Sequence, residues 1–320
     1  MTVKTVGYIG LGNAGFYLAG AVAKAGFRLV VDDSDPQRVA QFVSNFPRSK
    51  AGRATKDGFK DVDVLVTMLP NGKVVRDVLL GDGGISKQLK NGTVVIDTSS
   101  SSPFDTRQCG AELRQHGLEL IDAPVTQEQM HAIRYAAVTL MIGHDSDKGY
   151  KTALPVLQAM SQHVFVMGRL GAGHAMKTLN NYVSVGSILA LCDALVAGQK
   201  FGLDPKTMID VLNVGTGRNF STANAFREEV LPRTFDSGYQ LRLLVKDTKI
   251  AKEVIQASGL STQLPDMAIE CLSDALRRVR PTANHEECVK RWEEVAGVQL
   301  KQSDKPTDRP PNPRYFTSKL

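Results

Sequence analysis

The sequence predicts an α/β protein: a doubly wound, Rossmann-type parallel sheet in the first half, a long connecting helix, and an all-α remainder. Three observations predict it. Short apolar runs alternate with helical patterns through residue 169. A glycine turn then opens one long, nearly wholly apolar stretch, Gly171 to Lys200. Beyond Lys200 only helical patterns follow, punctuated by Pro205, Gly215, Gly217, Pro232, Gly238, Gly259 and Pro265. The expected divisions are a dinucleotide-binding domain over 1–169, an interdomain helix over 170–200, a helical domain over 201–300, and a disordered tail over 301–320.

Residues 3–9, VKTVGYI, read as a strand, and Gly10-Leu11-Gly12-Asn13-Ala14-Gly15 leads from it into a helical pattern. In this context GxGxxG is a dinucleotide fingerprint. Gly10 permits the tight turn, Gly12 lets a pyrophosphate approach the backbone, and Gly15 lets helix and strand pack closely. A second strand ends in Val31-Asp32-Asp33-Ser34-Asp35-Pro36. One of these aspartates, Asp33 in preference to Asp32, accepts the adenosine ribose hydroxyls, and its charge repels a 2′-phosphate. The cofactor expected is therefore NAD rather than NADP, the alternative being a polar turn that caps the helix at Pro36.

Two apolar strands follow, within 62–70 and 93–103, each ending in small polar residues. Ligands of open α/β sheets lie at the carboxyl ends of strands, which places Leu69, Pro70, Asn71 and Thr98 to Ser102 near the nicotinamide end. A solvated loop capping the helix at Pro103 is an equal alternative for any single serine of that run. Further strands are expected over 118–125, 136–143 and 163–168, for about eight in all.

The stretch from Gly171 is apolar on all sides, so it must be buried. From Tyr182 to Gly198 it matches only the shortest membrane spans, contains Asp193 and lacks basic flanks, so a core helix is expected. Lys177 and Asn181 leave the same face near its start, where burial without purpose would be costly.

At 320 residues, with 42% apolar and 22% charged residues, the chain supports two domains. Of the net charge of +6, half comes from residues 301–320, so the folded part is nearly balanced. With one tryptophan and no basic-aromatic stripe, nucleic-acid binding is not expected. The cysteines at 109, 192, 271 and 288 form no CxxC pair and the six histidines no HExxH spacing, so neither disulfide nor metal is expected. Import leaders are not expected, because a strand pattern begins at Val3. The tail ends Ser318-Lys319-Leu320, a peroxisomal import address, so a peroxisomal import receptor and peroxisomal localisation are expected, or a cytoplasmic location if the address is not read.

Taken in order, GYIGLGNAG, the Asp33 turn, TMLPN, VIDTSSSSP, DAPV, TLMIG, GAGHAMKTLNN and LLVKDTKIA resemble the β-hydroxyacid dehydrogenase family across residues 3 to 280. The resemblance implies NAD-dependent oxidation of a small 3-hydroxy acid, of 3-hydroxyisobutyrate or 3-hydroxypropionate type, or the reverse reduction. It assigns Lys177 as general acid/base, Asn181 and Ser100 to the substrate, and Lys246 to cofactor and substrate. A homodimer or homotetramer is expected. The departure follows DAPV: in place of a serine and paired glycines stand Thr126, Gln127 and Glu128. Thr126 can replace the serine hydroxyl, and either Arg134, Gln127 or His131 binds a different or displaced substrate group or the loop is only a re-formed surface turn. The alternatives are an imine reductase or reductive aminase on the same fold, and a non-catalytic NAD sensor; retention of Lys177 and Asn181 argues against both.

Overall fold

The computed structural model describes residues 3–52, 57–127, 132–135 and 137–301. The C-terminal SKL, His131 and Glu128 lie outside these residues. The chain divides into two compact units, Met1–Leu179 and Asn180–Leu320, and the boundary falls within the helix Ala172–Phe201.

The first unit opens with β1 (Thr5–Ile9), α1 (Gly15–Lys24), β2 (Arg28–Asp32), α2 (Pro36–Asn45) and the two-residue β3 (Lys50–Ala51). Then come β4 (Val64–Thr67), α3 (Gly72–Leu80), β5 (Val94–Asp97), α4 (Pro103–Gln115) and β6 (Glu119–Asp122). The unit closes with β7 (Val125–Gln127), β8 (Val138–Gly143), α5 (Asp147–Met160) and β9 (His163–Gly168). The strands form one nine-stranded sheet in the order β3-β2-β1-β4-β5-β6-β8-β7, with β9 pairing β8. From β3 to β6 every pairing is parallel, while β6 and β7 both meet β8 antiparallel. Chain order reverses between β1 and β4, which makes their carboxyl ends the switch point where such sheets bind ligands.

Alternation along the central strands explains why both faces are covered. Val64, Val66, Val94 and Ile96 join one core with Leu18 and Val22 of α1, while Leu65 and Val95 join the opposite core with Val75, Leu79 and Leu113. The expected strand over 118–125 is instead two. Pro124, which has no N–H to give a ladder, follows the end of β6, and the chain turns back as β7 to pair with β8. With the short β3 this brings the sheet to nine strands rather than about eight.

Among the described residues of the second unit the regular elements are all helical, apart from an isolated bridge between Gln240 and Asn284. Helix α6 (Ala172–Phe201) runs into it and is followed by α7 (Pro205–Val214), a π-helical segment Ser221–Val230, α8 (Leu241–Ala257), α9 (Leu264–Arg278) and α10 (Val289–Ala296). By length and composition α6 could cross a membrane. Its Val185, Ile188, Cys192, Leu195 and Val196, at three- and four-residue steps, instead enter a core with Phe226, Leu244, Leu272 and Trp292. Asp193 finds its partner there, accepting from the indole N–H of Trp292 at 2.6 Å.

Candidate active site

The glycine turn after β1 shows three different reasons for its glycines. A Cβ on Gly10, whose φ is +100°, would lie 2.2 Å from the Met68 carbonyl oxygen beyond β4, and one on Gly15 would lie 1.9 Å from the Gly10 carbonyl oxygen. Both glycines serve the fold. At Gly12 a Cβ would meet only Arg38 Nη1, at 3.5 Å, so protein packing does not require glycine there. What remains is room for a ligand to approach Gly12, at the start of α1, which fits the pyrophosphate of a dinucleotide.

Asp33, one residue past β2, reaches the same turn. Its Oδ2 accepts the Leu11 N–H at 2.6 Å and its Oδ1 the Asp35 N–H at 2.9 Å. Asp32 pairs with Ile9 in the ladder, and Asp35, not Asp33, caps α2 by accepting from Gln37 N–H at 2.9 Å. Thus the polar-turn reading holds for Asp35, while Asp33 is bound to the glycine turn.

At the ends of β4 and β5 the polar residues divide by burial. Asp97 accepts from Thr67 Oγ1, from Ser99 N–H and from Ser101 Oγ, and Ser99 Oγ in turn accepts the Leu69 N–H at 2.9 Å. Thr98 donates to the Thr67 carbonyl at 2.7 Å and is 1% exposed, so its hydroxyl shapes the loop. Asn71 Oδ1 caps α3 by accepting Val74 N–H at 3.0 Å, with Leu69 and Pro70 just before it. The serine run is therefore not a solvated loop. From Thr98 to Ser102, Ser100 alone is only partly buried, which singles it out as the serine able to meet a ligand.

Two residues not singled out from the sequence fix α6. Asp122, the last residue of β6 and fully buried, accepts the N–H groups of Gly171 and His174, each at 2.7 Å, at the positive end of the helix. His174 is likewise fully buried, its ring set between Thr106 and the Ser99 carbonyl. Their signal was present as the acid ending a strand run and the polar residue inside GAGHAMK, but one chain cannot say which distant groups they meet. At the turn into this helix a Cβ on Gly173 would lie 2.1 Å from the Met141 carbonyl oxygen and one on Gly171 2.9 Å from that of Pro103, so packing requires glycine at both positions. Lys177 lies three residues after His174, a little less than one helical turn, and is partly buried.

On the departing segment Gln127 Oε1 accepts the Ile133 N–H at 3.2 Å, which ties the end of β7 to the helical turn Ala132–Tyr135. Thr126 pairs with Thr139 between β7 and β8, and Arg134 is exposed on the short helical turn Ala132–Tyr135. Among the described residues no group of three or more His, Cys, Asp or Glu could hold a metal ion.

In the second unit, Asn181 and Lys246 converge on one carboxylate. Asn181 Nδ2 donates to Asp247 Oδ2 at 2.7 Å, Tyr239 Oη donates to the same oxygen at 2.7 Å, and Lys246 Nζ stands 3.2 Å from Oδ1. Burial and the charge of Asp247 push the Tyr239 phenol well above its ordinary range, which keeps it a donor. Because a carboxylate only accepts, the Asn181 amide must turn its NH2 toward Asp247, and its oxygen accepts from Asn180 Nδ2 at 3.3 Å.

Sequence comparison places these units among known proteins. The NAD binding domain of 6-phosphogluconate dehydrogenase matches residues 5–168, and the NAD-binding domain of NADP-dependent 3-hydroxyisobutyrate dehydrogenase matches residues 171–292. An NAD-dependent L-serine dehydrogenase of Pseudomonas aeruginosa is 29% identical over 83% of this chain and 90% of its own length. A 3-hydroxyisobutyrate dehydrogenase of the same organism is 30% identical over 82% of this chain and 89% of its own. In fold, the chain is similar to the crystal structure of 3-hydroxyisobutyrate dehydrogenase from Salmonella typhimurium, with a TM-score of 0.80, 23% identity, and coverage of 90% of this chain and 99% of that one. With a dinucleotide-binding sheet, a matching helical domain and these relatives, the chain belongs to the β-hydroxyacid dehydrogenase family, whose members are NAD(P)-dependent oxidoreductases acting on 3-hydroxy acids.

Proposed function

We propose that this protein oxidises a small 3-hydroxy acid to its semialdehyde, or runs the reverse reduction, with NAD as cofactor and Lys177 as general acid/base. The observation that carries this reading is the pinning of α6 by Asp122. The two 2.7 Å bonds to Gly171 and His174 hold the start of the helix at the carboxyl end of β6, the same end of the parallel strands that bears the glycine turn and Ser100, which supports Lys177 as the base.

Gly12 and Asp33 would receive the pyrophosphate and adenosine ribose, with Leu11, Asn13 and Ala14 completing the turn and Leu69 to Asn71 flanking the nicotinamide. The carboxylate of Asp33 beside that turn disfavours a 2′-phosphate, which supports NAD over NADP. When bound, NAD supplies the hydride acceptor. Lys177 in its neutral amine form takes the hydroxyl proton; in reduction its ammonium returns that proton to the new alkoxide. Ser100, Asn181 and Lys246 are the proposed substrate contacts, Lys246 also meeting the cofactor, and Thr126 and Arg134 stand on the altered loop.

The names of the relatives support the substrate class. 3-Hydroxyisobutyrate, L-serine and 2-(hydroxymethyl)glutarate each carry a primary hydroxyl β to a carboxylate. Initial rates with purified protein, NAD or NADP, and a panel of 3-hydroxy acids paired with the matching non-carboxylate alcohols test the reading. It predicts NAD reduction by the acids; turnover of the alcohols alone would refute it. A homodimer or homotetramer, and peroxisomal import through Ser318-Lys319-Leu320, belong to the same proposal. Sedimentation tests the first, and relocation of a fluorescent fusion on deleting Leu320 tests the second.

A further inference from the structure

His174 holds three pieces of the first unit together from a fully buried position. Its backbone N–H binds Asp122 at the end of β6, its Nδ1 lies 2.8 Å from Thr106 Oγ1 of α4, and its Nε2 lies 3.0 Å from the Ser99 carbonyl oxygen, beyond β5. A carbonyl oxygen only accepts, so Nε2 carries a proton and donates to it. The acceptor is the residue immediately before Ser100, and the donor sits three residues before Lys177 on the same helix. The Ser99 side chain is also committed, to Leu69 N–H, and its own N–H to Asp97, so the loop can shift only as a unit. Burial makes this join costly to break, since either partner left unpaired there loses its hydration for nothing.

We propose that His174 is a positioning residue that sets the distance between Ser100 and Lys177 through its single Nε2–H bond to the Ser99 carbonyl. The proposal rests on the assignment of Lys177 and Ser100 to the reaction. The bond joins the loop that would meet substrate to the helix that bears the base, and a shift of an ångström between two such groups is enough to reduce turnover about a hundredfold. Binding of NAD at Gly12 does not pass through this bond, so cofactor affinity should not follow it.

Two near-isosteres separate the contacts. Glutamine places its amide NH2 close to Nε2 and can donate to the Ser99 carbonyl, whereas asparagine reaches only about as far as Nδ1 and Thr106. In steady-state assays of the full-length protein on a hydroxy acid it turns over, His174→Ala and His174→Asn should both lower kcat about 10- to 100-fold, with the dissociation constant for NAD within about twofold. His174→Gln should recover most of kcat, and melting curves should place Gln and Asn together in stability. Equal kcat in Gln and Asn, or losses that track melting temperature alone, would overturn the proposal. Lys177→Ala and Ser100→Ala, assayed alongside, keep the two readings apart. If neither lowers turnover, the assignment of the site has failed; if they do while His174→Ala does not, only the positioning role has.

Discussion

Asp122 Oδ2 accepts the backbone N–H of His174 at 2.7 Å, while its other oxygen accepts that of Gly171 at the same distance. One fully buried carboxylate thereby caps α6 from the end of β6. Replacing it with alanine leaves two N–H groups of a helix start without partners in a dry interior. Asp122→Ala should therefore cost about 2–4 kcal/mol in denaturant unfolding. Retention of wild-type stability would show that the cap is incidental.

The glycine turn predicts opposite outcomes for two similar substitutions. Gly15→Ala forces a Cβ to 1.9 Å from a backbone oxygen, so the variant should be poorly folded or strongly destabilised. Gly12→Ala meets only Arg38 Nη1 at 3.5 Å and should melt close to wild type, yet bind NAD at least about tenfold more weakly in a fluorescence titration, because the Cβ occupies the approach of the pyrophosphate. Unchanged NAD affinity in Gly12→Ala would remove the turn from the cofactor site.

Acid should weaken the second unit through Glu286. Burial alone would raise its carboxyl pKa, but His285 beside it and the Ser237 hydroxyl, which donates at 2.6 Å, hold it below the ordinary carboxylate value. A depressed folded pKa contributes stability that is complete above the unfolded value, about 4.3, and lost as pH falls through the folded value. Glu286→Gln should thus melt below wild type at neutral pH, by about 1–3 kcal/mol, with the gap closing under acid. A gap independent of pH would contradict that origin.

Much of this was legible along the chain because it is local. The strand leading into the GxGxxG turn, the acid directly after β2 and the apolar runs of β4 and β5 are patterns of adjacent residues, and each is found where the pattern put it. Contacts spanning long separations were not legible. Asp122 to His174 joins residues 52 apart, and Asn181 to Asp247 joins residues 66 apart. The serine run read as equally a solvated loop or a site, and only the bonds of Asp97 show that Ser99 and Ser101 are interior while Ser100 is partly open. The break at Pro124 was missed because two short strands and one longer strand share the same apolar pattern.

The most direct test of the whole account is the kcat of Lys177→Ala on the best hydroxy acid, measured with NAD saturating and with NAD affinity determined separately. A general acid/base at this position predicts a loss of about 10²- to 10⁴-fold in kcat with NAD binding unchanged. Turnover within a few-fold of wild type would mean that proton transfer is carried elsewhere and that α6 is only the core helix joining two units.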